Sequence, residues 1–116
     1  MKTINEIWDI YRTCWNDNNS IQRTEKLQKI LTEDFEYRDP NLEVKGYTQL
    51  SDYMKQFQEQ FAGISFITTD INIHHNRCLV HWNMVKDKNE VVRNGSSFVL
   101  CENDKLKQII GFFKES

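Results

Sequence analysis

An acidic side chain in an apolar setting, Asp39, is the first candidate for chemistry in this sequence. It lies in the segment Phe-Glu-Tyr-Arg-Asp-Pro at residues 35–40, and alternation along a strand puts it on the same face as Phe35 and Tyr37. A carboxylate with an apolar shell is a stronger base than one in water, so Asp39 is a candidate general base for taking a proton α to a carbonyl. Its place before Pro40 equally fits an Asx turn, in which the side chain accepts from the backbone that follows. The sequence leaves these two roles open.

Other residues with reactive side chains do not form a known motif. His74 and His75 are adjacent, would point to opposite faces of an extended strand, and have no cysteine or acid at zinc-like spacing. The cysteines are odd in number and far apart, which fits core positions in a reducing compartment; they are Cys14, Cys78 and Cys101. Glycine-rich phosphate loops and GxSxG elbows are absent from the sequence. We therefore expect no metal site and no cofactor.

A first helix is predicted to carry an aromatic face. Thr3 and Glu6 have the spacing of a capping box, which begins a helix. Apolar residues then follow at helical spacing, and they are Ile4, Ile7, Trp8, Tyr11 and Trp15. We expect Trp15 to face a pocket, and Trp8 to lie at a sheet edge or against a partner subunit.

Two further helices are predicted before the main run of strands. The second covers about residues 20–31, capped by its first residue, with Ile21 facing inward and Arg23 in water. Thr48 is expected to cap the third helix, and Gly63 is well placed to end it. The apolar side chains of this third helix recur at three- and four-residue spacing, at Leu50, Tyr53, Met54, Phe57 and Phe61.

Strands dominate the second half of the chain. Besides the short strand at 35–39, which a loop joins to the third helix, four strands are predicted at 64–73, 78–86, 91–101 and 106–113. Short polar segments suited to hairpin turns separate them, at 74–77, 87–89 and 102–104. Helices followed by an antiparallel meander indicate an α+β fold with the helices packed on one face of a sheet.

Length and composition limit the class of protein. With 116 residues, 39% of them hydrophobic and 28% charged, we expect residues 1–116 to form a single globular domain. Fifteen basic and seventeen acidic residues give a formal charge of −2 with no basic run, so nucleic acid is not expected as a partner. The sequence has no stretch of about 18 apolar residues and no segment resembling a signal peptide. We therefore expect a cytoplasmic protein that does not enter a membrane.

The order of these elements resembles a known superfamily. The residues that carry the resemblance are Tyr37-x-Asp39-Pro40, Gly46, Trp82 and the segment Ile-Ile-Gly-Phe-Phe at 109–113. Their order and spacing are similar to those of the SnoaL-like branch of the NTF2-like superfamily along nearly the whole chain. The resemblance implies an NTF2-like (cystatin-like) cone, in which three N-terminal helices pack on a strongly curved, mostly antiparallel sheet. It also implies a pocket in the mouth of the cone and a homodimer formed through the sheet.

The resemblance also assigns roles to individual residues. Asp39 takes the place of the proton-shuttling aspartate of ketosteroid isomerase, and Tyr11 that of the tyrosine that donates to its oxyanion. Ser96 replaces the second donor, a protonated aspartate, so the implied stabilisation of an enolate is weaker and steroid isomerisation is not expected. The side chains predicted to bind a ligand are Trp15, Tyr37, Tyr53, Met54, Phe57, Trp82 and Phe98. Ordinary core packing is the alternative for Trp15, Tyr53, Phe57 and Trp82.

Three functions remain open at this point. The first is a cofactor-independent isomerase or cyclase that uses Asp39 as base with Tyr11 and Ser96 as hydrogen-bond donors. The second is a protein that binds a small apolar or aromatic molecule without catalysis, and the third is a dimeric interaction module. The superfamily contains enzymes and binding proteins, so the fold does not choose between them. An open pocket beside Asp39 would favour the first two, and side chains filling the cone would favour the third.

Overall fold

The predicted α+β order is confirmed in a computed structural model of the chain, which describes residues 2–87 and 90–113. Three helices and six strands follow one another as α1 (Ile4–Cys14), α2 (Ser20–Ile30), β1 (Leu31–Asp39), β2 (Leu42–Lys45), α3 (Gly46–Gln60), β3 (Ile64–His74), β4 (Arg77–Lys86), β5 (Glu90–Glu102) and β6 (Lys105–Phe113). The last four strands lie within one residue of their predicted bounds. Of the predicted turn at 87–89, residues 88 and 89 lie outside the described part of the chain.

The strands form one sheet in the order β2-β1-β6-β5-β4-β3. All neighbours are antiparallel except β1 and β6, which run parallel and pair Tyr37 with Ile109. This parallel pair brings the strand that ends at Asp39 next to the last strand of the chain. Residues widely separated in sequence therefore meet at the end of β1.

The two faces of the sheet differ in burial. The inner face carries buried side chains such as Val80, Trp82 and Val99, which pack against the helices. The outer face carries a row of apolar side chains that are partly or largely exposed, in which Leu79 pairs with Phe98 and Phe98 with Ile110.

Helix α1 begins as predicted, because the Thr3 side chain accepts from the amide of Glu6 and the Glu6 side chain accepts from the amide of Thr3. Its end is fixed by α3. The Gln58 amide donates to the carbonyls of Trp15 at 2.7 Å and Asp17 at 3.1 Å, which satisfies acceptors that the helix leaves open. Among the described residues, no helix has the length and apolar content needed to cross a membrane.

The predicted orientation of α2 is wrong at two positions. Ile21 is 75% exposed, whereas Arg23 is 1% exposed. The Arg23 guanidinium donates to the carbonyl of Asp17 at 2.6 Å and to the hydroxyl of Ser51 at 2.9 Å, so its charge is buried with hydrogen-bond partners. Arg23 thus ties α2 to α3 and to the loop after α1, a role that helical spacing does not reveal.

The segment between β1 and α3 also differs from expectation. Residues 42–45 were predicted as loop, but they form β2, which turns back on β1 and pairs Leu42 with Asp39. Helix α3 begins at Gly46, where the N-cap Lys45 makes no side-chain hydrogen bond, so Thr48 lies inside the helix and does not cap it. Asn19 caps α2 by accepting from the Gln22 amide.

Candidate ligand-binding site

An inner pocket lies between α1, α3 and the inner face of the sheet. Nine aromatic side chains line it together with a few polar ones, and the full set is Trp8, Tyr11, Arg12, Trp15, Tyr37, Asp39, Tyr53, Phe57, Phe66, Thr68, Trp82, Met84, Ser97, Gly111 and Phe113. Its volume is about 40 Å³. Since an ordered water needs roughly 10–15 Å³ by this measure, the pocket has room for about three waters. The rings therefore fill most of the space that they surround.

Asp39 is the polar end of the inner pocket, and four donors surround its carboxylate. Oδ2 accepts from the hydroxyl of Tyr37 at 2.7 Å and from that of Tyr53 at 3.0 Å. Oδ1 accepts from the backbone amides of Asn41 at 2.8 Å and Leu42 at 3.3 Å. A carboxylate offers about four lone-pair positions, so the acceptor capacity of Asp39 is used.

The local chain explains both halves of this arrangement. Pro40 keeps Asp39 extended, and the next two amides turn back on Oδ1 to make the Asx turn that leads into β2. Alternation puts Tyr37 on the same face of β1, and α3 brings Tyr53 to the same oxygen. Asp39 can therefore make the Asx turn and still contribute to the pocket, because Oδ1 accepts from the turn and Oδ2 accepts from the two phenols.

Burial favours the protonated form of the three phenols of the inner pocket. Burial raises the pKa of Tyr11 well above its ordinary value of 10.0, and Tyr11 is 3% exposed. Burial is also the main cause that raises the pKa of Tyr37 and of Tyr53, with the charge of Asp39 adding to it. A protonated phenol donates one hydrogen bond, and Tyr37 and Tyr53 both donate to Asp39.

Trp15 is the centre of the aromatic wall. Its ring lies 5.3–6.4 Å, centroid to centroid, from five neighbours, all in tilted or edge-to-face geometry. These neighbours are Tyr11, Tyr37, Tyr53, Phe57 and Phe66. Such pairs add to the stability gained by burial alone. The wall is accordingly a packed cluster of rings.

Trp8 belongs to this wall, and not to a sheet edge or a partner contact as predicted. It is 6% exposed, and its indole N–H donates to the Thr68 hydroxyl at 3.0 Å. On the facing strand, Trp82 donates to the Ser97 hydroxyl at 3.1 Å. The signal for Trp8 was present in the helical stripe that it shares with Tyr11 and Trp15.

Two predicted site residues on β5 lie on the wrong face. Ser96 is on the outer face, where its hydroxyl lies 2.7 Å from Nδ1 of His81, and Phe98 pairs with Leu79 on the same face. Ser97 takes the inward position beside Trp82, so the predicted alternation of β5 is shifted by one residue. The expectation that Ser96 and Phe98 face the pocket is therefore corrected.

The other predicted site residues divide into two groups. Seven predicted site residues do line the inner pocket, and they are Tyr11, Trp15, Tyr37, Asp39, Tyr53, Phe57 and Trp82. Met54 is fully buried in the core and does not line the pocket. Within residues 2–87 and 90–113, no three His, Cys, Asp or Glu side chains are grouped as a metal ion would need.

An outer cleft continues from the inner pocket towards the surface, with a volume of about 700 Å³. The two cavities share four lining side chains, Tyr53, Phe57, Met84 and Phe113. The cleft is otherwise lined by the turn after β1, the end of α3 and the starts of β3 and β5, through Asn41, Leu42, Gln56, Gln60, Phe61, Ile64, Val92 and Arg93. Its size falls in the range of roughly 300–1,000 Å³ that is usual for small-molecule sites.

Comparison with known proteins gives one family. Residues 9–109 match the SnoaL-like domain, which is most of the chain. No curated protein sequence matches this chain at a significant level.

Solved structures share the fold at low sequence identity. A proposed isomerase of the SnoaL-like family from Agrobacterium tumefaciens is 19% identical with a TM-score of 0.87, covering 94% of this chain and 95% of its own. A protein of ketosteroid isomerase-like fold from Catenulispora acidiphila, solved in complex with trimethylamine, is 11% identical with a TM-score of 0.79, covering 98% and 89%. A proposed polyketide cyclase from Sinorhizobium meliloti is 11% identical with a TM-score of 0.68, covering 90% and 92%.

Proposed function

This chain belongs to the SnoaL-like branch of the NTF2-like superfamily, and we propose that it binds a small, largely apolar or aromatic organic molecule in the outer cleft, against the rings that fill the inner pocket. The neighbour solved with trimethylamine supports the proposal, because that relative of the same fold holds a small organic molecule. The proposal includes the cone implied by the family, with a bent sheet and the helices enclosing the ligand.

The open outer cleft is the observation that carries this proposal, and the four hydrogen bonds to Asp39 favour binding without catalysis. A carboxylate with all its acceptor positions in use is a fixed part of the wall, so binding needs no change in it. Proton transfer would first require a donor to leave. The volume of about 700 Å³ in the outer cleft also argues against a pure interaction module, which would have no need of an open cavity.

Calorimetric titration with a neutral aromatic probe, 2-naphthylacetamide, tests the proposal. Phe61 is 50% exposed and lines the outer cleft, so Phe61→Ser should weaken binding by about fivefold through lost apolar contact. Phe112→Ser is the matched control, because Phe112 is 58% exposed but lies on the outer face of the sheet. Absence of binding to the wild-type chain, or equal losses in both variants, would contradict the proposal.

Proton transfer is the second candidate function, and one observation favours it. Asp39 lines the inner pocket together with Tyr11, and its Oδ2 is held partly by Tyr53, a half-buried side chain that a substrate could displace. In this scheme Asp39 is the base, Tyr11 donates to the developing oxyanion, and the displaced phenol frees one lone pair of the carboxylate.

A panel of enolisable carbonyl compounds tests this second function. Asp39→Asn should abolish exchange of the α-proton for deuterium, measured by NMR, while Asp52→Asn on the exposed side of α3 should leave it intact. Exchange that is equally fast in the Asp39→Asn variant would remove Asp39 from the mechanism.

A homodimer through the outer face is a separate part of the proposal. Support comes from the apolar row of Leu79, Phe98 and Ile110, in which Leu79 is 44% exposed. Light scattering on the eluting protein should give twice the chain mass of 13.9 kDa. Leu79→Arg should halve that mass by putting a charge into the contact, and a monomeric wild-type chain would refute the dimer.

A further inference from the structure

The outer cleft has one charged side chain among the described residues that line it, and that residue is Arg93. We infer that the ligand carries an anionic group, such as a carboxylate, which Arg93 binds in the outer cleft while the apolar part of the ligand contacts the rings beneath. This inference rests on the proposed function, since it names the chemical class of the molecule that the cleft takes.

The direction of Arg93 follows from the register of the sheet. Arg93 on β5 pairs with Met84 on β4, and directly paired residues point to the same face. Met84 lines both cavities, so Arg93 projects towards them and not towards the outer face.

The guanidinium is also held in place. Its central carbon lies 4.8 Å from the centre of the Phe113 ring, a cation–π contact. Phe113 lines the inner pocket and the outer cleft, so the positive charge stands where the two cavities join. A guanidinium has five N–H donors in a rigid fork that matches a carboxylate, and its contact with a ring leaves donors at its edge available.

The acidic side chain of the site, Asp39, lies in the inner pocket, where four hydrogen-bond donors hold its carboxylate. No acidic side chain is found among the described residues that line the cleft. The other arginine of the site, Arg12 in the inner pocket, is neutralised by Asp9 at 2.6 Å and donates to the carbonyl of Phe66 at 2.9 Å. Arg93 is therefore the cation best placed to bind an anionic ligand group.

A matched pair of probes separates this inference from the proposed function. 2-Naphthylacetate and 2-naphthylacetamide have nearly the same shape and differ in charge, and each is titrated into the chain by calorimetry at the same ionic strength. The wild-type chain should bind the carboxylate roughly two- to fivefold more tightly, as expected for a partly exposed ion pair. Arg93→Gln should bring the ratio of the two dissociation constants close to one.

Arg77→Gln is the control for general charge effects. Arg77 lies on the outer face of β4, where it pairs with Leu100 and donates to the carbonyl of His75 at 2.9 Å. The preference for the carboxylate should survive in this variant.

Three other outcomes of the titrations would each refute a different part of the proposals. Equal affinities of the wild-type chain for both probes would refute the anionic ligand while leaving the pocket intact. A preference that persists in Arg93→Gln would refute the role of Arg93. Failure to bind either probe would refute the anionic ligand and the proposed function together.

Discussion

The inner pocket and the outer cleft meet at four side chains, yet their volumes are about 40 and 700 Å³. In the inner pocket, indole N–H groups donate to hydroxyls, and the carboxylate of Asp39 is surrounded by donors. In the outer cleft, Phe61 and Val92 are about half exposed. The side chains around the inner pocket are thus closely packed, whereas those around the outer cleft leave an open cavity.

This difference shows how a small domain combines stability with binding. A polar network with every partner in place is rigid, and its loss is costly because buried groups are left without hydrogen bonds. Exposed rings cost little to rearrange and offer apolar surface to a ligand. We therefore expect substitutions in the inner pocket to change stability, and substitutions in the outer cleft to change affinity.

The largest effect is expected at Gly95. A methyl group there would overlap the ring of Trp82, which packs across Gly95, so Gly95→Ala must displace the indole and its hydrogen bond to Ser97. We expect a loss of about 3 kcal/mol in the free energy of unfolding, measured with urea, as for overpacked cores.

Gly111 offers the matched test of the same change. An added methyl group would have its nearest contact at 3.6 Å, with Cβ of Asp39, which is ordinary packing. Gly111→Ala should alter stability by no more than about 0.5 kcal/mol. A loss at Gly95 as small as the one expected at Gly111 would mean that Trp82 is not tightly packed against Gly95.

A smaller loss is expected from Asp39→Ala. The substitution removes the acceptor of the Tyr37 and Tyr53 hydroxyls and the side chain of the Asx turn. We therefore expect the free energy of unfolding to fall by about 2 kcal/mol. Asp52→Ala, at an exposed position on α3, is the control and should leave the melting temperature unchanged. An equally small change at Asp39 would show that the network does not stabilise the fold.

The pH dependence gives the most gradual effect, and the smallest one for a single side chain. Burial raises the pKa of Tyr11 and Tyr37 above the ordinary value of 10.0, so above that pH the unfolded chain binds fewer protons than the folded one. The contribution of these two phenols to the free energy of unfolding should therefore be constant below pH 10.0. Above that pH it should fall by up to about 1.4 kcal/mol per pH unit for each phenol.

Tyr11→Phe isolates this contribution, because lysines that titrate in the same range are present in both proteins. Urea unfolding between about pH 9 and pH 11 should show a shallower decline for the variant than for the wild-type chain. Identical slopes would mean that the Tyr11 phenol ionises as readily in the folded chain as in the unfolded one.

Features encoded by neighbouring residues were predictable from the sequence. The capping box of α1 needs only Thr3 and Glu6, and the hairpin turn at Asn103 and Asp104 needs only residues that tolerate a positive φ. The Asx turn of Asp39 was one of two predicted roles for the same reason. The α+β order followed from the periodicity of the apolar residues.

Features decided by distant partners were not predictable in this way. Adjacent Ser96 and Ser97 give β5 no clear alternation, and the inward position of Ser97 depends on the indole of Trp82, 15 residues earlier in the chain. Arg23 is buried because Asp17 and Ser51, from other elements, accept its donors. The contact of Tyr53 with Asp39 likewise joins α3 to β1.

Binding of a ligand between α3 and the inner face of the sheet is the property on which the proposed function most depends. A titration of the ¹⁵N-labelled chain with 2-naphthylacetate, followed by amide chemical shifts, tests it directly. We predict saturable shifts at Tyr53, Phe57 and Met84, which line both cavities. Shifts confined to Leu79 and Phe98 on the outer face, or no shifts at all, would contradict the account.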